Sequence, residues 1–225
     1  MPSKNSIKQY LENSYYHIYN RGVEKRVIFE NDEDYKVFLS YLKIYLDPPQ
    51  SIEARTVSVN NNLYKTVRRP LNNYYGEIEL VTYCLMPNHF HLLIWQNKNP
   101  KSIEYFMRSL CTKYSQYFNK KYQRIGYLFQ GTYKAVLIKD DSQLLHLTRY
   151  IHLNPTKETP LQKAYSSYAD YLGKRSTSWV KPRRILGYFK TAQKAGLQDF
   201  FSYQSFVEDY QMDSAEVLGN LKIEE

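Results

Sequence analysis

The chain has 225 residues, enough for one substantial domain with an appendage, and its 43% hydrophobic content gives it a core to bury. Subtracting 22 acidic from 31 basic residues leaves a formal charge of +9, which favours a polyanionic partner such as nucleic acid. Cys84 and Cys111 stand far apart and outside any C-x-x-C pattern, which argues against a disulfide framework or a thiolate zinc site and fits a reducing cytoplasm. The start MPSKNSIKQY has no secretory apolar stretch and no run approaches the ~20 apolar residues of a membrane span, so a soluble, cytoplasmic protein with no membrane partner is expected.

In chain order, residues 15 to 20 (YYHIYN) are aromatic and β-branched and predict a first strand, which runs into a basic loop at Arg21 and Gly22. Asn31 and Asp32 are plausible caps for a helix from Glu33 to Leu46, where Tyr35, Phe38, Leu39, Leu42 and Tyr45 recur at helical spacing. Pro48 and Pro49 stop it. From there to Gly76 the sequence is polar and rich in Asn and Pro, with a basic cluster at Lys65, Arg68 and Arg69, so residues 51–75 are expected to form an inserted surface loop. Strands over Glu77 to Leu85 and His89 to Gln96, joined by Met86, Pro87 and Asn88, make a hairpin. An amphipathic stripe of Ile103, Phe106, Leu110, Tyr114, Tyr117 and Phe118 predicts a long helix from Ser102 to about Lys121. A fourth strand over Tyr133 to Ile138 follows, then a helix over 142–154 closed by Pro155.

The order βαββαβα points to an α+β, ferredoxin-like sandwich: an antiparallel sheet carrying helices on one face. Residues 1–172 are expected to form this domain and 173–225 a C-terminal helical extension, with a basic start (Lys181, Arg183, Arg184) and aromatic continuation (Phe200, Phe201, Phe206). Two accounts of that extension are open: contacts to nucleic acid, or apolar cover for the sheet or a helix.

The sharpest local feature is His89-Phe90-His91 within PNHFHLLIW. Alternate strand residues share a face, so the two imidazoles stand side by side while Phe90 and Leu92 enter the core. Neutral imidazoles are good ligands for divalent metals. Histidines on a solvent face are the plainer alternative for such a triplet. In LTRYIHLNP, Tyr150 and Asn154 lie four apart on one helical face, so a phenol nucleophile and an amide oxygen could address one site, although a core tyrosine and a helix cap are the structural alternatives. Tyr114 and Tyr117 are rival nucleophiles whose stripe positions favour the core, and His17 fits either a place facing the site or a hydrogen-bonded core position. The 24 tyrosines, many beside a cation, suit unpaired bases and their phosphates. Candidate DNA contacts are Arg21, Lys25 and Arg26 after the first strand, and Arg108, Lys113, Lys120, Lys121 and Arg124 along and beyond the long helix; a merely solvated surface is the competing reading.

The segments YHIYNRG, YCLMPNHFHLLIW, FMRSLCTKYSQYFNKKYQRIGYLFQGTYKAVLI, LTRYIHLNP and YSSYADYL, in this order across about residues 15 to 172, resemble the HUH single-tyrosine transposases, the IS200-like family, and especially its REP-associated branch. The resemblance implies that His89 and His91 hold a Mg²⁺ or Mn²⁺ ion against the scissile phosphate and that Tyr150 attacks it. Asn154 falls where relatives carry a polar metal ligand, often Gln. It further implies a partner of single-stranded or hairpin DNA, and a monomer as in the REP-associated branch, with a dimer exchanging helices as the mobile-element alternative. A non-catalytic hairpin-binding protein and an RNA-directed protein remain alternatives at the level of sequence, because stacking tyrosines and basic loops do not tell deoxyribose from ribose.

Overall fold

The computed structural model describes residues 10–49, 55–59, 62–66, 71–155, 159–194 and 202–209. Strand β1 (Ser14–Arg21) is followed by a 3₁₀ turn at Val23–Lys25 and helix α1 (Asp32–Leu46). Asn31 caps α1: its side chain accepts from the backbone of Glu33, and Asp34 completes a capping box. Residues expected to be a plain loop instead contain a small antiparallel hairpin, β2 (Arg55–Val59) with β3 (Asn62–Thr66). The alternation Thr-Val-Ser-Val and the asparagines between the strands account for it, since β-branched residues on either side of an Asn pair are a hairpin pattern. Lys65 belongs to β3, whereas Arg68 and Arg69 lie outside the described residues.

Strands β4 (Ile78–Met86) and β5 (His89–Gln96), helix α2 (Ser102–Lys121), strand β6 (Lys134–Leu137) and helix α3 (Asp141–Leu153) complete the expected series. The four main strands form one antiparallel sheet in the order β4-β5-β1-β6. With the inserted hairpin set aside, the first strand lies between the third and fourth, which is the ferredoxin-like arrangement. One face buries Ile18, Leu80, Phe90, Leu92 and Ile94 against Phe38 and Leu42 of α1 and Phe106 and Leu110 of α2.

The expectation that the helices share one face holds for α1 and α2 only. Helix α3 lies across the other face, where its stripe Leu144, Leu147 and Ile151 meets Val81, Cys84 and Leu93. Alternation requires a second cover, because β4 and β5 are buried on both faces. The C-terminal extension supplies more of it. Helices α5 (Arg183–Lys194) and α6 (Tyr203–Glu208) of the extension add Ile185, Phe189, Tyr203 and Phe206 to this second core, and the short helix α4 (Tyr168–Tyr171) at the end of the domain adds Tyr168. Of the aromatic residues expected there, Phe200 and Phe201 fall outside the described residues.

Candidate active site

The second face of the sheet presents His89 and His91 at the turn end of β5, with ring centroids 5.0 Å apart. Strand alternation places them there. The odd positions of β5 oppose the apolar set Phe90, Leu92 and Ile94 that faces α1 and α2. Helix α3 crosses above, so the Tyr150 ring meets the His91 ring edge-on at 5.5 Å and Asn154 Oδ1 lies 3.3 Å from His89 Nε2. Four residues of one chain from two elements therefore converge on one spot. Asn154 is also the C-cap of α3, and its Nδ2 donates to the carbonyl of Tyr150 at 3.5 Å.

The hydrogen bonds assign the imidazole protons. Asn88 Nδ2 donates to the carbonyl of Lys25, which turns Asn88 Oδ1 toward His89 Nδ1 at 2.6 Å. An amide oxygen only accepts, so His89 carries its proton on Nδ1 and leaves a lone pair on Nε2. That lone pair faces another acceptor, Asn154 Oδ1, an arrangement a cation between them resolves. Two donors sharing an ion at ~2.1 Å stand about 3.0 to 3.4 Å apart, and the observed 3.3 Å fits. His91 Nε2 is buried without a hydrogen-bond partner, a third donor atom left open. The residues thus fit a divalent ion held by two nitrogens and one amide oxygen. Among the described residues no group of three His, Cys, Asp or Glu side chains could hold a metal.

Electrostatics keep both rings neutral. Burial, then the neighbouring His17 and His89, hold His91 well below the ordinary histidine range. Burial and the charge of Arg21 lower His89, against the opposing contact with Asn154. Neutral imidazole is the form that binds metal.

Sequence reasoning undervalued two further residues. His17, on β1, is buried on the same face and its Nε2 lies 2.8 Å from His91 Nδ1. Its signal was the alternation of β1, in which Tyr16 and Ile18 face α1 and α2. Asn88 stood only as a turn residue, and nothing local marked it as the partner of His89.

The candidate DNA contacts do not form one patch. Arg21 lies opposite His89 in the β1–β5 register, and Lys25 is exposed in the next turn. Arg26 is half-buried, with its carbonyl beneath Gly22. Arg124 bonds Asn119 near the end of α2, and Lys120 is exposed there. Lys121 is committed to Asp34 and Glu33 at 2.8 and 2.7 Å, which makes it a structural cation. Arg108 stacks on Tyr105 and shares a surface cleft of about 570 Å³ with Lys113. Arg184 bonds Glu79 at 2.6 Å and covers Trp95, while Arg183 is exposed. Trp95 is six residues along β5 from His89, about 20 Å at the strand rise, so Arg184 braces the far end of the sheet. Of the rival nucleophiles, Tyr114 is buried and donates to the carbonyl of Ile28, and Tyr117 donates to Asp34 at 2.8 Å. Both serve the core.

Residues 37–154, slightly more than half of the chain and the stretch that holds His89, His91, Tyr150 and Asn154, match the family described as "Transposase IS200 like". The chain belongs to this family. Membership assigns the IS200-like chain a transposase function, carried out on DNA. Among solved structures it resembles a REP-associated tyrosine transposase bound to a REP hairpin, at 12% identity over 79% of this chain and 97% of that one, with a TM-score of 0.52. That likeness concerns the fold. A Deinococcus radiodurans R1 protein described as a transposase aligns at 16% identity over 67% of this chain and 95% of that one; its TM-score of 0.35 supports no argument. No curated protein sequence matches the chain.

Proposed function

We propose that this transposase nicks and rejoins single-stranded DNA beside hairpins, with Tyr150 as the nucleophile and His89, His91 and Asn154 as the ligands of a Mg²⁺ or Mn²⁺ ion. The observation that carries the proposal is the edge-on approach of Tyr150 to His91 at 5.5 Å, next to the His89–Asn154 pair, within one chain. It favours cleavage in cis. The hairpin held by the structurally similar REP-associated protein supports the choice of substrate.

Tyr150 Oη forms the new bond to phosphorus, the bond to the 3′ oxygen breaks, and the phenol's proton passes to solvent as the 3′ oxygen leaves as a hydroxyl. The DNA is then joined to Tyr150 through its 5′ phosphate. Attack by a 3′ hydroxyl reverses the step, so strands are rejoined without a nucleotide energy source. When bound, the ion supplies Lewis-acid polarisation of the phosphoryl oxygen. Burial of His91 and the fixed helix end at Asn154 hold the ligand atoms in place before substrate arrives, and Arg21 adds positive charge at the phosphate.

Substrate contacts extend along the loop after α2. Val23 N–H donates to the carbonyl of Leu128 and Gln130 N–H to that of Arg21, which anchors the loop at the His89 end of the sheet. Ile125 and Tyr127 stand 98% and 88% exposed on it, with Arg124 and Lys25 as nearby cations. An exposed ring on an anchored backbone is a base-stacking platform for an unpaired strand. Incubation of matched DNA and RNA hairpins with the protein and Mn²⁺ tests the proposal. A covalent protein–DNA adduct with the DNA hairpin alone is expected; binding without any adduct, or cleavage of the RNA, would refute it.

A further inference from the structure

Helix α2 packs on the sheet face opposite α3, and two clefts flank it that the proposed cleavage site leaves unused. The first, of about 570 Å³, is walled by Asn72, Tyr74, Tyr105 and Lys113 together with Arg108 and Thr112. The second, of about 430 Å³, shares Arg108 and Thr112 and continues past Glu104 to Asn20 and Gly131. Because they adjoin at Arg108 and Thr112, both exposed, the two form one continuous track across the outer side of α2.

The far end of the track meets the catalytic end of the sheet. Strand β6 stops at Lys134, opposite Tyr19, so beyond that point the edge of β1 is covered by the segment after α2. There Asn20 Nδ2 donates to the carbonyl of Gly131 at 3.2 Å, and Arg21 Nε donates to Gln130 Oε1 at 3.1 Å, beside His89 in the register. Successive strand residues point to opposite faces, so Asn20 turns toward α2 and Arg21 toward α3. One short segment therefore borders both the His89 site and the mouth of the track.

The lining chemistry suits an anionic chain that carries rings. The Arg108 guanidinium lies over the Tyr105 ring at 5.1 Å, and neither Arg108 nor Lys113 has an ion pair among the described residues. Tyr74 Oη is buried in the same wall, with Asn72 and Arg108 as its polar neighbours. Glu104 is the acidic side chain of the track and lines the second cleft, which leaves the Arg108–Lys113 side to phosphate. Cations that follow a backbone, interleaved with aromatic rings, are the pattern of single-strand binding. Each cleft is of the size that holds one small ligand, so it takes an unpaired nucleotide and not a duplex. We propose that this track binds the single-stranded flank of the DNA, with phosphates on Arg108 and Lys113 and an unpaired base against Tyr105, on the face opposite the cleavage site.

The proposal rests on DNA as the substrate but not on the metal ligands or on Tyr150, whose failure would show as a missing adduct with Mn²⁺. Binding of a single-stranded oligonucleotide to the full chain is therefore measured in EDTA, apart from cleavage, by fluorescence anisotropy across a salt series. Arg108→Gln combined with Lys113→Gln should flatten the slope of log affinity against log salt by about 1.4, at ~0.7 per phosphate contact. With 5-iodouracil in the oligonucleotide, irradiation of the wild type should yield a crosslinked peptide from α2 that contains Tyr105, and mass spectrometry identifies it. The crosslink judges the track even if the double variant fails to fold. Absence of oligonucleotide binding by the wild type, crosslinks that avoid α2, or a folded double variant with the wild-type slope would each overturn the proposal.

Discussion

Gly22→Ala should damage both stability and metal binding, although the residue carries no functional group. Its backbone is ordinary, with φ at −58° and ψ at 142°, so no conformational strain is involved. Space is the constraint. A Cβ at this position would lie 2.2 Å from the carbonyl oxygen of Arg26, 2.8 Å from Arg26 Cγ and 2.9 Å from Ile28 Cγ2. The nearest of these is a backbone atom, so relief requires the turn at Val23–Lys25 to move. That turn is tied to the site: Gly22 N–H donates to the carbonyl of Asn88 at 2.9 Å, and Asn88 holds His89. Overpacking of this kind costs about 1 to 3 kcal/mol, and loss of a backbone hydrogen bond adds about 1 kcal/mol. Urea unfolding should therefore show a loss of roughly 2 to 4 kcal/mol with an unchanged m-value, accompanied by weaker Mn²⁺ binding in calorimetry. A loss below about 0.5 kcal/mol, the range of neutral surface changes, together with wild-type Mn²⁺ affinity would refute the steric argument.

Other outcomes follow from the same contacts. Tyr127→Ala should weaken binding of single-stranded DNA by roughly five-fold or more, the effect of losing one stacked base, while Tyr127→Phe stays near wild type; equal affinities for all three proteins, measured by fluorescence anisotropy, would remove the platform. Arg21→Ala combined with Lys25→Ala should flatten the slope of log affinity against log salt by about 1.4, at ~0.7 per phosphate contact. Lys121→Ala should leave that slope unchanged and lower the melting temperature, because it strips the buried Asp34 of its ion pair; the opposite pattern would return Lys121 to the DNA surface. His152, buried between Tyr203 and Ser167, is held down to about 3 by burial and the charge of Arg175. The unfolded chain binds a proton near pH 6.5 and the folded chain does not, so stability is constant above that pH and falls below it by about 1.4 kcal/mol per unit toward pH 3. His152→Gln should reduce that slope in denaturant unfolding series, and an identical slope would refute the assignment.

Local periodicity makes most of this molecule legible in its sequence. The strand period of two placed His89 and His91 on one face, and the helical period of four joined Tyr150 to Asn154, because both depend only on neighbours along the chain. What escaped depends on partners distant in sequence. The crossing of α3 over the second face follows from β4 and β5 being buried on both sides, a fact that a mixture of apolar and aromatic residues does not announce. His17 reaches His91 through the β1–β5 register across 74 positions of sequence. Basic character alone made Lys121 and Arg184 resemble phosphate ligands, yet Asp34 claims one and Glu79 with Trp95 the other. Phe206 is buried in the second core, so for that residue the account of the C-terminal segment as apolar cover is the one observed. Arg149 and His152 of α3 bond Phe206 and Tyr203 of α6, so this cover also fixes the helix that carries Tyr150.

The central claim is that Tyr150 is the atom donor to phosphorus. Full-length protein is incubated with Mn²⁺ and an end-labelled DNA hairpin bearing a single-stranded flank, digested, and the DNA-linked peptide sequenced by mass spectrometry. The account predicts a 5′ phosphate attached to Tyr150, and an adduct absent from a Tyr150→Phe protein that still binds the hairpin. An adduct on Tyr114, Tyr117 or any other residue, or one that persists in Tyr150→Phe, would contradict it.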